Sequence, residues 1–189
     1  MSKHELRRLM KGKLSSIEPS ALIEKSSFLS KNLHRLLADL HVIQKNFCLG
    51  AFAPFDLEPI WFMELSEVEK KQASYPAYDQ EAKQMTFKIA RMSDLISKMD
   101  FGYKILGPAD EAIPVIPDVL LIPGLAFSTN GERLGRGKGF YDKFLFDYRG
   151  IKVGVCFEVQ LVAEMPTEAH DVNLDYIVTE ERIINCKLA

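Results

Sequence analysis

The sequence predicts an α/β protein whose mostly parallel sheet is covered by helices on both faces. Three observations predict it. Short apolar runs at residues 47–53 and 119–122 are bounded by turn residues, the pattern of strands buried on both faces. Between such runs lie segments with apolar residues at helical spacing, clearest at Leu22, Leu29, Leu33, Leu36 and Leu40. Strands and helices therefore alternate along the chain, as they do when helices carry the crossovers between parallel strands. At 189 residues, 47% apolar and 26% charged, the chain is long enough for one domain with a sizeable core.

Taken in order, residues 3–14 read as a basic helix, with Lys3, Arg7 and Lys11 on one stripe. That stripe is either a solvated face or a cationic wall for a binding site. Pro19-Ser20 opens a second helix running to about residue 41, with His34 and His41 in or near it and no metal partner in view. The run 47–53 is the first strand. It leads into Pro54-Phe55-Asp56-Leu57-Glu58-Pro59, and residues 60–71 then read as a helix with Pro59 in its first turn. Residues 73–78 and 85–89 read as strands, and 93–99 as a short helix capped by Ser93. Residues 107–117 hold three prolines and read as a rigid connection. Strand 119–122 follows, then a glycine-rich stretch, an amphipathic helix at 141–148 and a strand at 152–157. A helical turn at 161–163, a loop to Asp171 and a last strand at 174–178 complete the chain.

Composition excludes several function classes. A net charge of −2 argues against a nucleic-acid partner gripped by a basic surface. Cys48, Cys156 and Cys186 are odd in number and form no C-x-x-C pair, so buried inert thiols are the expectation. The charged start at Lys3, His4, Glu5, Arg7 and Arg8 is unlike a signal peptide. No apolar run approaches the roughly 20 residues that span a bilayer. The reading is a soluble, cytoplasmic protein.

The chemistry concentrates in residues 121–142, LIPGLAFSTNGERLGRGKGFYD. Pro123-Gly124 stops the strand, and Ser128-Thr129-Asn130-Gly131 is turn chemistry. Then Gly135, Gly137 and Gly139 alternate with Arg136 and Lys138, directly ahead of a helix. Such glycines let backbone N–H groups approach an anion. The helix N-terminus adds oriented donors and partial positive charge. Arg133, Arg136 and Lys138 add formal charge, so the loop suits a phosphate-rich ligand. It matches neither the P-loop nor the G-x-G-x-x-G pattern, since Gly139 follows Lys138 and Phe140 stands at the last glycine. A solvated basic loop is the plain alternative.

Three carboxylates are candidate site residues. Glu58 lies beyond the first strand, where it either favours a helix start or faces the ligand side of an open sheet. Asp142 closes the loop and Asp171 follows His170 in a later loop. Beside phosphates, one or two such groups suffice to hold Mg²⁺; otherwise they stabilise a helix start and a turn.

The assembled pattern resembles the 5-formyltetrahydrofolate cyclo-ligase family, also called methenyltetrahydrofolate synthetases. Lys3-His4-Glu5-Leu6-Arg7, Glu58, the block 123–142 with RLGRGKGFYD, and Ala169-His170-Asp171-Val172-Asn173-Leu174-Asp175 carry the likeness, in that order along the chain. The resemblance implies a three-layer α/β/α sandwich and the ATP- and Mg²⁺-dependent conversion of 5-formyltetrahydrofolate to 5,10-methenyltetrahydrofolate, with ADP and phosphate as products. It implies ATP phosphates on Lys3, Arg7, Arg133, Leu134, Gly135, Arg136, Gly137, Lys138, Gly139, Phe140 and Tyr141. The folate would meet Glu58 and residues 136–140, with Lys138 and Arg136 as catalytic cations and Asp142 and Asp171 as Mg²⁺ ligands. The expected partners are small molecules, with no nucleic acid or membrane, and the expected state is a monomer.

The chain departs from the family pattern at Ala77, where arginine often follows the proline, and at Gly107, where an acid often precedes Pro108. Phe140 replaces a common tyrosine. Two other classes are kept in view: a nucleotide- or folate-binding protein without turnover, and a sugar-phosphate isomerase-like enzyme, which would need no ATP.

Overall fold

The computed structural model describes residues 1–40, 47–65, 73–79, 81–100, 102–166 and 172–188. Helix α1 (Lys3–Ser15) starts on a capping box. The Ser2 hydroxyl accepts from the Glu5 N–H at 3.2 Å, while the Glu5 carboxylate accepts from the Ser2 N–H at 2.8 Å. Helix α2 (Pro19–Asp39) begins with proline at its first position, where a missing N–H costs nothing.

The parallel strands are β1 (Leu49–Gly50), β2 (Ala73–Asp79), β7 (Val119–Ile122), β10 (Ile151–Val155) and β11 (Tyr176–Val178). They lie side by side in the order β2-β1-β7-β10-β11. Antiparallel strands finish the two edges: β3 (Gln84–Ile89) and β6 (Pro114–Val115) beyond β2, and β12 (Ile183–Asn185) beyond β11. The eight strands make one mostly parallel sheet.

Strand periodicity divides the core in two. Val119 and Leu121 of β7 pack in one cluster with Leu6 and Met10 of α1 and Leu29, Leu33 and Leu37 of α2. Leu120 and Ile122 point the other way, into a cluster with Leu145 and Tyr148 at the third helix, α3 (Phe140–Asp147). Helices thus cover both faces, giving the expected three layers. Burying β7 on both sides explains its unbroken apolar run.

Several expected elements differ. Residues 60–65 form turns rather than a helix, and 66–72 lie outside the described residues. Serines of α2 satisfy this backbone instead. The Ser26 and Ser30 hydroxyls accept from the Ile60 and Glu64 N–H groups at 3.1 and 2.8 Å, and Ser30 donates to the Trp61 carbonyl at 2.7 Å. The helix expected at 93–99 is a single 3-10 turn, Met92–Asp94, followed by strand β4 (Ile96–Asp100). Its partner β5 (Tyr103–Gly107) makes a hairpin that adds cross-strand hydrogen bonds no local pattern announces. The helical turn expected at 161–163 falls earlier, at Glu158–Gln160. A small ladder, β8 (Ala126–Phe127) with β9 (Arg133–Leu134), presents the glycine-rich loop.

Cys156 is buried, Cys48 and Cys186 are half-buried, and all three are free. Burial pushes each thiol up, Cys186 to about 11, in keeping with inert thiols. No helix among the described residues is long and apolar enough to cross a membrane.

Candidate functional site

The carboxyl ends of β1 and β7 open onto a cleft of about 640 Å³, the position where open α/β sheets keep ligands. The loop 135–139 forms one wall, the segment 52–58 after β1 another, and the β4–β5 hairpin a third.

The loop is built from the residue up. Gly137 and Gly139 sit at φ +95° and +75°, in the left-handed region that favours glycine, and Gly139 is the N-cap of α3. Arg7 of α1 reaches across and its Nε donates to the Gly135 carbonyl at 3.0 Å, which places its guanidinium against Gly137. The basic stripe of α1 is therefore not merely solvated: Arg7 belongs to the loop. Lys3, on the same stripe, opens the helix.

The two loop arginines differ sharply. Arg133 is nearly buried, at 5% side-chain exposure. Its Nη1 donates to the Pro123 carbonyl at 3.1 Å, its Nη2 pairs with Asp142, and the guanidinium lies over the Tyr141 ring at 5.5 Å. Arg136 is at the mouth, 35% exposed. It spans the cleft to Glu58, with Nε and Nη2 each 3.1 Å from Oε1. It also donates to the Phe55 carbonyl at 3.4 Å, approaches Asp56 at 3.9 Å and stacks on the Phe55 ring at 5.4 Å.

Glu58 is held in place by its own turn. Asp56 adopts φ +60°, a conformation aspartate tolerates, and Glu58 folds back so that its Oε2 accepts from the Phe55 N–H at 3.0 Å. Desolvation pushes the Glu58 carboxyl up; Arg136 and the Phe55 N–H oppose that shift without cancelling it. Phe55 meets Tyr103 of the hairpin edge-on at 5.6 Å, and Phe140 meets Tyr78 at 5.2 Å. The cleft is therefore aromatic on two sides, with one nearly buried carboxylate inside and cations at its rim. Burial keeps the Tyr78 and Tyr141 hydroxyls neutral by raising their pKa values.

Of the residues singled out from the sequence, Glu58, Arg133, Gly135, Arg136, Gly137, Lys138, Gly139, Phe140, Tyr141 and Asp142 all line this one cleft. Leu134 points instead into the core, 2% exposed. Asp171 lies outside the described residues. The sequence reading missed Phe55, Tyr78 and Tyr103; Phe55, an aromatic residue in a connecting segment, was a usable signal, whereas Tyr78 and Tyr103 lie in strands. It also missed the Arg136–Glu58 pair, 78 residues apart in sequence, which only the fold reveals.

Asp142 stands in the first turn of α3 and is 42% exposed, with one oxygen taken by Arg133. Among the described residues no group of three or more His, Cys, Asp or Glu could hold a metal. Asp142 brings one half-exposed carboxylate to the cleft beside the loop.

Residues 1–180 match the profile of the 5-formyltetrahydrofolate cyclo-ligase family. The chain is 38% identical over 87 residues to 5-formyltetrahydrofolate cyclo-ligase of Escherichia coli K12, covering 42% of this chain and 48% of that protein. It is 34% identical over 80 residues to a probable 5-formyltetrahydrofolate cyclo-ligase of Schizosaccharomyces pombe, covering 35% of this chain and 39% of the relative. The aligned stretches thus span less than half the length of these curated relatives. A solved structure of Aquifex aeolicus 5,10-methenyltetrahydrofolate synthetase superposes with a TM-score of 0.77 at 26% identity, over 99% of this chain and 94% of that one. A Mycoplasma pneumoniae 5,10-methenyltetrahydrofolate synthetase shares the fold, with a TM-score of 0.72 at 21% identity. A profile match over 180 consecutive residues, on a chain that folds as these structures do, has one conclusion: the protein belongs to the 5-formyltetrahydrofolate cyclo-ligase family.

Proposed function

We propose that the protein is a 5-formyltetrahydrofolate cyclo-ligase, converting 5-formyltetrahydrofolate and ATP to 5,10-methenyltetrahydrofolate, ADP and phosphate. The observation that carries this reading is the cleft in which the cationic glycine loop faces a nearly buried carboxylate across aromatic walls. Each side suits one substrate. Phe55, Tyr78, Tyr103 and Phe140 offer flat apolar surfaces for a fused ring and an aromatic tail. Glu58 suits the N–H groups on a pterin edge, because a desolvated carboxylate makes strong charge-assisted hydrogen bonds. The loop amides with Arg136 and Lys138 suit a triphosphate, and Arg7 fixes the loop's shape.

The chemistry asks little covalent help of the protein. A formyl oxygen is a poor leaving group, so the γ-phosphoryl passes to it. N10 then bonds to the activated carbon and gives up its proton, the carbon–oxygen bond breaks, and phosphate departs with that oxygen and, in the net balance, the proton. Lys138 and Arg136 hold the transferring group and offset its charge, while the aromatic walls exclude water from the reacting carbon. Asp142, with Asp171, would hold Mg²⁺, whose part is to neutralise charge on the phosphates. We further place the reaction in a single monomeric chain.

The test mixes purified protein, 5-formyltetrahydrofolate and Mg-ATP and follows the methenyl product by absorbance. Product that requires both ATP and Mg²⁺ is expected. Product formed without ATP would contradict the reading, and so would its absence from a protein that binds both substrates.

A further inference from the structure

Both loop arginines are already engaged by carboxylates of the chain itself, Arg133 by Asp142 and Arg136 by Glu58. The two engagements are not equivalent. Arg133 is nearly buried, held by a carbonyl as well as a carboxylate, and packed on the Tyr141 ring. It cannot leave without dismantling the loop. Arg136 sits at the cleft mouth between Gly135 and Gly137, the latter at φ +95°, and its contacts run from 3.1 to 3.9 Å. A long side chain on a glycine-flanked loop can swing toward solvent or toward a bound anion without disturbing the core.

Glu58 has the complementary problem. It is desolvated, and one of its two oxygens is committed to the Phe55 N–H. Arg136 therefore covers the Glu58 oxygen that the Phe55 N–H leaves open. An anion that draws Arg136 away alone would strand a nearly buried charge, and a ligand that takes Glu58 alone must share it with a guanidinium. Once the pair opens, only both ligands together leave both charges partnered.

We propose that Arg136 is a positioning residue that passes from Glu58 to the nucleotide's phosphates, so that nucleotide binding uncovers the carboxylate on which the folate is held. The proposal rests on the cyclo-ligase reading and adds to it an energetic coupling between the two substrates. By linkage, that coupling acts equally in both directions.

The experiment is calorimetric titration of the full chain with Mg²⁺ and a non-hydrolysable ATP analogue, with and without saturating 5-formyltetrahydrofolate, and the reverse titration. In the wild type each ligand should tighten the other about five-fold or more. Glu58→Gln keeps the shape and removes the ion pair. Without folate it should bind the analogue more tightly than the wild type does, because Arg136 is already released. Arg136→Ala should bind the analogue more weakly and lose the coupling, and Arg136→Lys, which keeps the charge but not the fork, should recover part of it. An Arg136 that only ever contacts phosphate predicts no tightening in Glu58→Gln; that result, in a wild type that binds both ligands, would overturn the exchange and leave the cyclo-ligase reading standing. A wild type that binds neither ligand would overturn both.

Discussion

Two residues, Lys138 and Glu58, carry opposite charges into the same cleft for opposite reasons. Lys138 stands on the glycine loop at the cleft surface, where a point charge can follow a transferring phosphoryl group. Replacing it by alanine is expected to lower kcat by about 10²–10³-fold, in the range of other lost transition-state donors, with circular dichroism unchanged. Wild-type turnover would make Lys138 a surface charge. Glu58 is a carboxyl raised above its ordinary value by desolvation. The folded state then binds its proton more tightly than the unfolded chain does. Its penalty is absent below the ordinary value of 4.5 and grows as pH rises through the raised one. Glu58→Gln should therefore gain stability relative to wild type on going from pH 4 to pH 7, read as urea midpoints. A difference independent of pH would mean that Glu58 titrates as it does in the unfolded chain.

At the scale of elements, much of the site was legible because its signals are local. Alternating glycines and cations ahead of a helix announced a glycine loop at a helix start. The structure bears out that geometry, with Gly139 capping α3 at φ +75°. No atom beyond its chain neighbours comes within 4 Å of a Cβ built there, so Gly139→Ala isolates backbone strain. It should cost about 1–2 kcal/mol, measured by urea unfolding; an unchanged unfolding free energy would show that the loop relaxes. What was not legible depended on partners far away in sequence. The β4–β5 hairpin looked helical from Ser93 onward, because a cap and acidic first turn are local cues whereas strand pairing is not. Residues 60–65 looked helical until the serines of α2 replaced their hydrogen bonds. Edge strands β6 and β12 are short, and their partners set them.

Across the whole molecule, the sheet was readable because strands buried on both faces are apolar throughout. The central β7 supplies Val119 and Leu121 to one half of the core and Leu120 and Ile122 to the other. That same strand ends at Pro123, beside the loop, so the most buried part of the fold anchors the site. The fold thereby brings α1, the segment after β1, the hairpin and the glycine loop to one cleft, with Arg136 reaching across it and Arg7 bracing the loop from α1. In the proposed reaction this convergence delivers a phosphoryl group to the formyl oxygen of the folate. The most direct measurement is turnover of 5-formyltetrahydrofolate carrying ¹⁸O in its formyl group, with Mg-ATP, followed by mass spectrometry of the inorganic phosphate. One labelled oxygen in each phosphate released is the result predicted. Unlabelled phosphate, with methenyl product still formed, would contradict it.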